Sequence, residues 1–367
     1  MEERRVISLR QKGGEGFMQY KVTIVGTGNA GCAHAAMFSL YGHQVTLLKT
    51  SSAGNNLNFN YIKRERKIDV VTPGGDVKSV TLHRVTDNCE EAFSDCEVCF
   101  VMVQTLYHPR VAELISACVK HIKLLFVVPG YMGSLYFQKM LGDRVDYIAE
   151  GESTAYDARI VEDGRVQILF KNVRNAIGIL KGREEDILPI MSSLVETYQY
   201  VRKSIVESAL HNPNLIVHTV GSIMSASRIE FSHGNFWMYK EAFTPSIWHV
   251  IARLDNEKMD VLEAAGCERI PYVEACKFRN SADLTVDAME VFRSYAESGG
   301  PKGPSCVASR YIMEDVPMGL GLLSSLGRKY QVPTPTCDAL LTIAGALVGH
   351  DFWKESRNLI ALMPFPM

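Results

Sequence analysis

The sequence predicts an α/β domain, a mostly parallel doubly wound sheet flanked by helices, followed by an all-helical domain. Three observations carry that expectation. Short apolar runs suited to buried parallel strands fall in the first half, at Val22 to Val25, Cys99 to Val103 and Leu124 to Val128. Helical patterns separate them, the alternation that builds βαβ units. From Glu184 onward the apolar period lengthens to that of a helix, and Trp237, Trp248 and Trp353 all lie beyond it. A chain of 367 residues is long for one core. The expected division is a leading extension over 1–19, a nucleotide-binding type of domain over 20–200 and a helical domain over 201–367.

The first element is Tyr20 to Leu48, YKVTIVGTGNAGCAHAAMFSLYGHQVTLL. One buried strand leads into Gly26, Gly28 and Gly31, spaced G-x-G-x-x-G, then a small-residue helix closed by Gly42, then a second strand. In that strand–turn–helix context the glycines become a dinucleotide fingerprint: one for the tight turn, one for backbone approach to a pyrophosphate, one for close helix–strand packing. Amides at the helix start, beginning with Asn29 and Ala30, point at the phosphates. The first domain is therefore expected to be a Rossmann domain.

The second strand runs into Leu48, Lys49, Thr50, Ser51 and Ser52, with no acid to bind a ribose 2′-hydroxyl. A lysine and hydroxyls accept an extra phosphate, so Lys49 and Thr50 lean toward NADP over NAD. Ile68 to Leu82 alternates about Gly74-Gly75 and reads as an inserted hairpin. The run ending at Val103 leads into QTLYHPRVAELI, with Pro109 suited to a first helical turn, and Leu124 to Val128 leads into PGYMGS. Ligands bind beyond the carboxyl ends of parallel strands, so Gln104 to His108 and Pro129 to Ser134 should face the cofactor, with Gln104 and His108 as candidate contacts. Two shorter strands follow, Tyr147 to Ala149 and Val166 to Phe170. Ile187, Leu188, Met191, Leu194, Val195 and Tyr198 then share one helical face behind the acids at Glu184 to Asp186.

Composition narrows the function. A net charge of -2 and a pI near 6.6 argue against nucleic-acid or acidic-membrane partners, and no apolar run suits a membrane span. Residues 1–19 mix charges and lack the apolar core of a secretion signal, and Met18 is a candidate start. Nine scattered cysteines suit a reducing cytoplasm. Cys96 and Cys99 form one C-x-x-C in a strand, where residues three apart face opposite sides; they read as core cysteines, and no metal site is expected.

In the second half, VESALHNPNLIVHTVGSIM holds His211, Asn212, Asn214 and His218 about Pro213, which removes a backbone donor where a helix would run on. Polar groups beside such a kink are candidates for a cleft, although a hydrogen-bonded core histidine is the plainer reading. In SRYIMEDVPMGLGLLSSLGRKYQVPTP, Pro317 suits a helix start with Asp315 at or just before its first turn. Gly327 and Pro333 then close that helix, and Thr334-Pro335 opens the last one. Arg310 offers a planar fork for a carboxylate and Asp315 a group to orient a histidine; equally, Arg310 pairs with Glu314 one turn on.

Across residues 20 to 367 the chain resembles the opine dehydrogenase family of octopine/nopaline type. The L-H-N-x-N element at Leu210 to Asn214 and the R-Y-x-x-E-D-V-P-x-G-L element at Arg310 to Leu320 carry the resemblance, with Pro333 to Pro335 behind them. His108 adds weaker support, as does Glu152 to Arg159, which lacks the family's proline and receives no role. The resemblance implies a dyad of His211 and Asp315, a carboxylate anchor at Arg310 and substrate contact at Asn212. It also implies the reaction, in which an amino acid condenses with a 2-oxo acid and the imine is reduced by NAD(P)H. The expected partners are those small molecules, and a homodimer is compatible with the composition.

Two alternatives stand beside this reading. One is a related two-domain reductase, of ketopantoate reductase or glycerol-3-phosphate dehydrogenase type, whose families place a lysine with an asparagine in the helical domain. The other is a dinucleotide-sensing regulator without turnover. Phe231 to Trp248, rich in aromatics, lines the amine pocket or packs the helical core; packing is the expectation.

Overall fold

The computed structural model describes residues 18–51, 56–297, 302–359 and 362–363. Most of the extension expected over 1–19, and Ser52 of the NADP-leaning loop, lie outside them. The chain forms two compact units meeting at Val201 and Arg202.

Among its described residues the first unit is built on twelve strands. In chain order these are β1 (Lys21–Val25), β2 (Gln44–Leu48), β3 (Lys67–Val71), β4 (Val77–Thr81), β5 (Arg84–Thr86) and β6 (Val98–Val101). There follow β7 (Ile122–Val127), β8 (Val145–Gly151), β9 (Tyr156–Glu162), β10 (Arg165–Lys171), β11 (Asn175–Lys181) and β12 (Tyr198–Arg202). Eight make one sheet in the order β12-β11-β8-β7-β6-β1-β2-β5. From β8 through to β5 the pairs are parallel, and β11 runs antiparallel to β8. Side chains alternate across it: Ile24, Phe100 and Phe126 enter one apolar core, Val25, Val101 and Val127 the other. Burial on both faces is why these strands are continuous apolar runs.

The hairpin is present as antiparallel β3 and β4. It belongs to a second sheet, β4-β3-β10-β9, that the sequence reading did not contain. Helix α1 (Asn29–Leu40) packs against strands of both sheets, so Gly31 through Phe38 are all buried. A helix buried all round needs no amphipathic stripe, and its alanines let two sheets approach it. Strands β9, β11 and β12 were likewise not expected. The helix expected to reach Tyr198 stops at Leu194, Val195 is extended, and Tyr198 opens β12. Val195 and Tyr198 are buried in the core that the helix also faces, so an extended segment mimicked its period.

The second unit, among its described residues, is helical. The expected kink is a break: one helix ends at Leu210, His211 caps it, and Pro213 caps the next, Asn214–Met224. Helix Gly321–Tyr330 runs through Gly327 and ends at Gln331, in the left-handed region at φ 58°. Gly327 instead allows close packing, since a Cβ there would lie 2.8 Å from Thr334 Cγ2. Glu257 accepts from the amides of Thr336 (2.7 Å) and Cys337 (2.9 Å), holding the start of helix Pro335–Val348. Tyr239, Phe243, Trp248, Phe292 and Tyr295 form one ring cluster with centroids 5.0 to 6.1 Å apart. The aromatic segment therefore packs largely as core, although Phe231 stays exposed.

Candidate active site

In the first unit, the loops after β1, β6 and β7 leave the carboxyl ends of three adjacent parallel strands. The three glycines divide their work as their spacing implies. Gly26 has φ 123°, and a Cβ there would lie 2.3 Å from Met102 O; one at Gly31 would lie 1.9 Å from Gly26 O. Both positions exclude a side chain on contact alone. At Gly28 a Cβ would meet nothing within 4 Å. That open face, with no side chain capping α1, leaves first-turn amides for a pyrophosphate. The residues present fit a dinucleotide.

The other expected cofactor contacts divide. Asn29 turns its side chain to the small sheet, where Oδ1 accepts from Ile160 N at 2.9 Å, so its remaining offering is its amide. Ala30, half-buried, offers the same, and its carbonyl is bonded to His34 Nδ1 at 2.8 Å. Lys49 is buried with its ammonium over the Phe59 ring, 5.7 Å from the centroid, and Thr50 is half-buried after it. Gln104 is half-buried ahead of a short helical turn. His108 is buried, so close to the next loop that a Cβ on Gly133 would lie 2.0 Å from its Nδ1.

One residue here escaped the sequence reading. Glu150, buried on β8, accepts from Met132 N (2.9 Å), Ser134 N (3.3 Å) and the Ser134 hydroxyl (2.7 Å). It holds the loop after β7 with Tyr131 and Met132 both left-handed, at φ 46° and 60°. Such backbone persists only where its surroundings over-determine it. A lone acid inside the apolar pattern of β8, YIAEG, was the available signal.

In the second unit, the R-Y-x-x-E-D element is helix Arg310–Met313 continuing through Glu314 and Asp315 into a π-helical turn, Val316–Leu320. Pro317 thus sits within the turn that follows Asp315. Spacing of i to i+4 sorts the element into two pairs. Arg310 Nε donates to Glu314 Oε2 at 2.7 Å; Glu314 is buried, while the Arg310 side chain is 61% exposed. Tyr311 and Asp315 both reach a histidine, but it is His218. His218 Nδ1 lies 2.7 Å from Asp315 Oδ2, and the Tyr311 ring stacks on the imidazole at 3.7 Å between centroids and 8° between planes.

The expected pairing of His211 with Asp315 is therefore corrected: Asp315 takes His218. His211 caps the preceding helix with its side chain wholly buried, and neither ring nitrogen has a hydrogen-bond partner. Glu207, 3.9 Å away, is beyond bonding reach. Arg202, Lys258 and Arg279 surround it, matched by Glu207 and Asp255; Lys258 Nζ lies 2.5 Å from Asp255 Oδ1, and Arg279 donates to His211 O at 3.3 Å. Burial, then those three cations, hold the His211 imidazole well below its ordinary titration range. That favours the neutral ring, which has no exposed side-chain surface. Asn212 is also buried, its Oδ1 accepting from Asn214 N at 3.0 Å.

His218 is half-buried in a helix otherwise buried from Leu215 to Ile223. Its i, i+4 partner Asn214 shares that more open face, the sequence signal that separates it from His211. Among the described residues no group of three His, Cys, Asp or Glu could hold a metal ion, and no helix is long and apolar enough to cross a membrane.

A Rossmann unit, followed by a helical unit presenting a histidine–aspartate pair beside an arginine, defines the class: an NAD(P)-dependent oxidoreductase. Comparison with known proteins makes it specific. Residues 201–348 match the family model described as the α-helical domain of NAD/NADP octopine/nopaline dehydrogenase. The opine dehydrogenase of Arthrobacter sp. (strain 1C) is 27% identical over 343 residues, covering 92% of this chain and 93% of that protein. Octopine dehydrogenase, solved with NADH and pyruvate, superposes with a TM-score of 0.71 at 19% identity, over 93% of this chain and 94% of that one. Yersinopine dehydrogenase with NADP+ gives 0.72 at 16%, over 92% and 97%. Over residues 201–348 the chain thus matches that family's helical domain, and along most of its length it is similar to an opine dehydrogenase.

Proposed function

We propose that this protein joins the amine of an amino acid to the carbonyl carbon of a 2-oxo acid and reduces the product to an N-(carboxyalkyl)amino acid, with His218 and Asp315 as its acid–base pair. The 2.7 Å contact between those two residues, one residue beyond the Arg310–Glu314 pair, carries the assignment.

Asp315 fixes the His218 tautomer: Nδ1–H donates to the carboxylate, leaving the Nε2 lone pair for substrate. His218 takes a proton from the substrate ammonium, and the freed nitrogen attacks the carbonyl carbon. As the C–N bond forms, that proton passes to the carbonyl oxygen, giving the carbinolamine; His218 then takes a second proton from the newly bonded nitrogen and returns it to the hydroxyl, which leaves as water. Arg310, its Nε occupied by Glu314, presents its terminal nitrogens to the oxo-acid carboxylate as a two-pronged donor. Asp315 stabilises the charge on His218 while it carries the proton. NAD(P)H, when bound, supplies the hydride that reduces the resulting imine. Gly28 and the first amides of α1 hold its pyrophosphate, with the loops at Gln104 and at Pro129 to Ser134 as further contacts. The relatives with NADH and with NADP+ leave either form in play, and the burial of Lys49 weakens the lean to NADP.

We place the reaction in the cytoplasm, supported by nine free cysteines, most of them in the packed interior. The test is oxidation of NADH or NADPH with pyruvate, 2-oxoglutarate or oxaloacetate, each with and without a panel of amino acids. The proposal expects turnover only when oxo acid and amine are both present. Turnover with the oxo acid alone would move the protein to the hydroxy-acid reductases. Cofactor binding without turnover on any pair would favour the sensing regulator.

A further inference from the structure

The Tyr311–His218 stack has a geometry that two neutral rings do not favour. Face-to-face aromatic pairs repel through their quadrupoles and usually shift sideways or turn edge to face, with centroids roughly 4.5 to 7 Å apart. Here the centroids are 3.7 Å apart and the planes 8° from parallel. A cationic ring over the electron-rich face of a phenol reverses the sign of that interaction. The same helical turn supplies both holders of the imidazole: Asp315 meets its Nδ1 edge and Tyr311 covers its face. A carboxylate alone lets the ring pivot about one hydrogen bond; a plane pressed against its face removes that freedom.

Resting on the acid–base assignment to His218, we propose that Tyr311 is a positioning residue for catalysis: its ring holds the plane of His218, aims Nε2 at the substrate nitrogen and stabilises the positive charge as the imidazole takes the proton. It acts through the face of its ring. The phenol hydroxyl is not part of the role.

Three variants test this, Tyr311→Phe, Tyr311→Leu and Tyr311→Leu combined with His218→Gln. Tyr311→Phe keeps the face and retains kcat within about twofold. Tyr311→Leu lowers kcat by roughly tenfold or more, consistent with the sensitivity of rates to misplacement of a catalytic group, while the KM for the dinucleotide stays put. In the His218→Gln background Tyr311→Leu costs nothing further, because the group it serves is gone. A loss in Tyr311→Phe as large as in Tyr311→Leu would overturn the proposal in favour of the hydroxyl, and so would a full tenfold loss persisting in the His218→Gln background. Should Tyr311→Leu not fold, Tyr311→Trp serves: it keeps an aromatic face, so kcat is expected within about threefold of wild type, and a loss of roughly tenfold would overturn the proposal. Full activity in His218→Gln alone would instead sink the dyad, a failure separate from that of Tyr311.

Discussion

His211 and His218 lie seven residues apart on either side of one proline, and they occupy opposite kinds of surroundings. The end of the helix closing at Leu210 is sealed: His211 has no exposed side-chain surface, no ring hydrogen bond and three cations around it. The face of the following helix is half-open, and there His218 has a carboxylate on one nitrogen and a tyrosine on its face. The histidine inside the L-H-N-x-N element is packed away; the one a turn and a half into the next helix has the surroundings of the proton carrier we propose. A motif marks where chemistry is near without marking which residue performs it.

The largest expected effect tests that contrast directly. His218→Gln should lower kcat by on the order of 10² to 10⁴-fold, the range for a lost general acid–base group, with the fold intact by thermal melting. His211→Ala should leave kcat within about threefold, since it only opens a buried cavity, and should cost about 2 to 3 kcal/mol of stability by urea titration. The reverse pattern would restore His211 as the catalytic group. Next in size, Arg310→Lys removes the fork but keeps the charge. The KM for the oxo acid should rise roughly tenfold, the worth of one charge-assisted bond, with the KM for the amino acid unmoved. A rise in both would mean the side chain anchors something common to the two substrates.

The last prediction, on stability and remote from the site, concerns a third histidine. His34 on α1 is fully buried against Phe38 and Tyr156, and burial, opposed by its bond to Ala30, lowers its pKa from 6.5 to about 4. The unfolded chain binds this proton below pH 6.5 and the folded chain only near 4. Stability is therefore lost as pH falls through that window, by at most on the order of 3 kcal/mol. Urea midpoints of His34→Gln between pH 7 and 4 should fall less steeply than those of wild type. An unchanged slope would show that His34 is not the titrating group.

How much of this was legible depended on how far apart the cooperating residues lie in the chain. Gly26, Gly28 and Gly31 work within one turn and read directly from their spacing, and the parallel order of the large sheet follows from its apolar runs. The small sheet did not read, because β3 joins β10 across about a hundred residues, although each of those strands was legible alone. Tyr198 was misplaced because a buried side chain looks alike on a helix and on a strand facing one core. The dyad spans 97 residues, so the choice between two nearby histidines rested on helix phase, and Pro213 resets that phase. Asn214 and His218, four apart, keep it.

The two i, i+4 pairs between Arg310 and Asp315 also bear on how such an enzyme changes substrate. The proposed carboxylate anchor and the holders of the proposed proton carrier hang from neighbouring faces of a single turn, so a shift of that turn carries both and keeps the spacing between them. Selection for a longer or bulkier oxo acid then has an inexpensive route: edit what surrounds Arg310 and Glu314 and leave Tyr311 and Asp315 untouched. Diversification of the acid half would proceed as swaps around a conserved rigid unit, with acid–base chemistry inherited at each step.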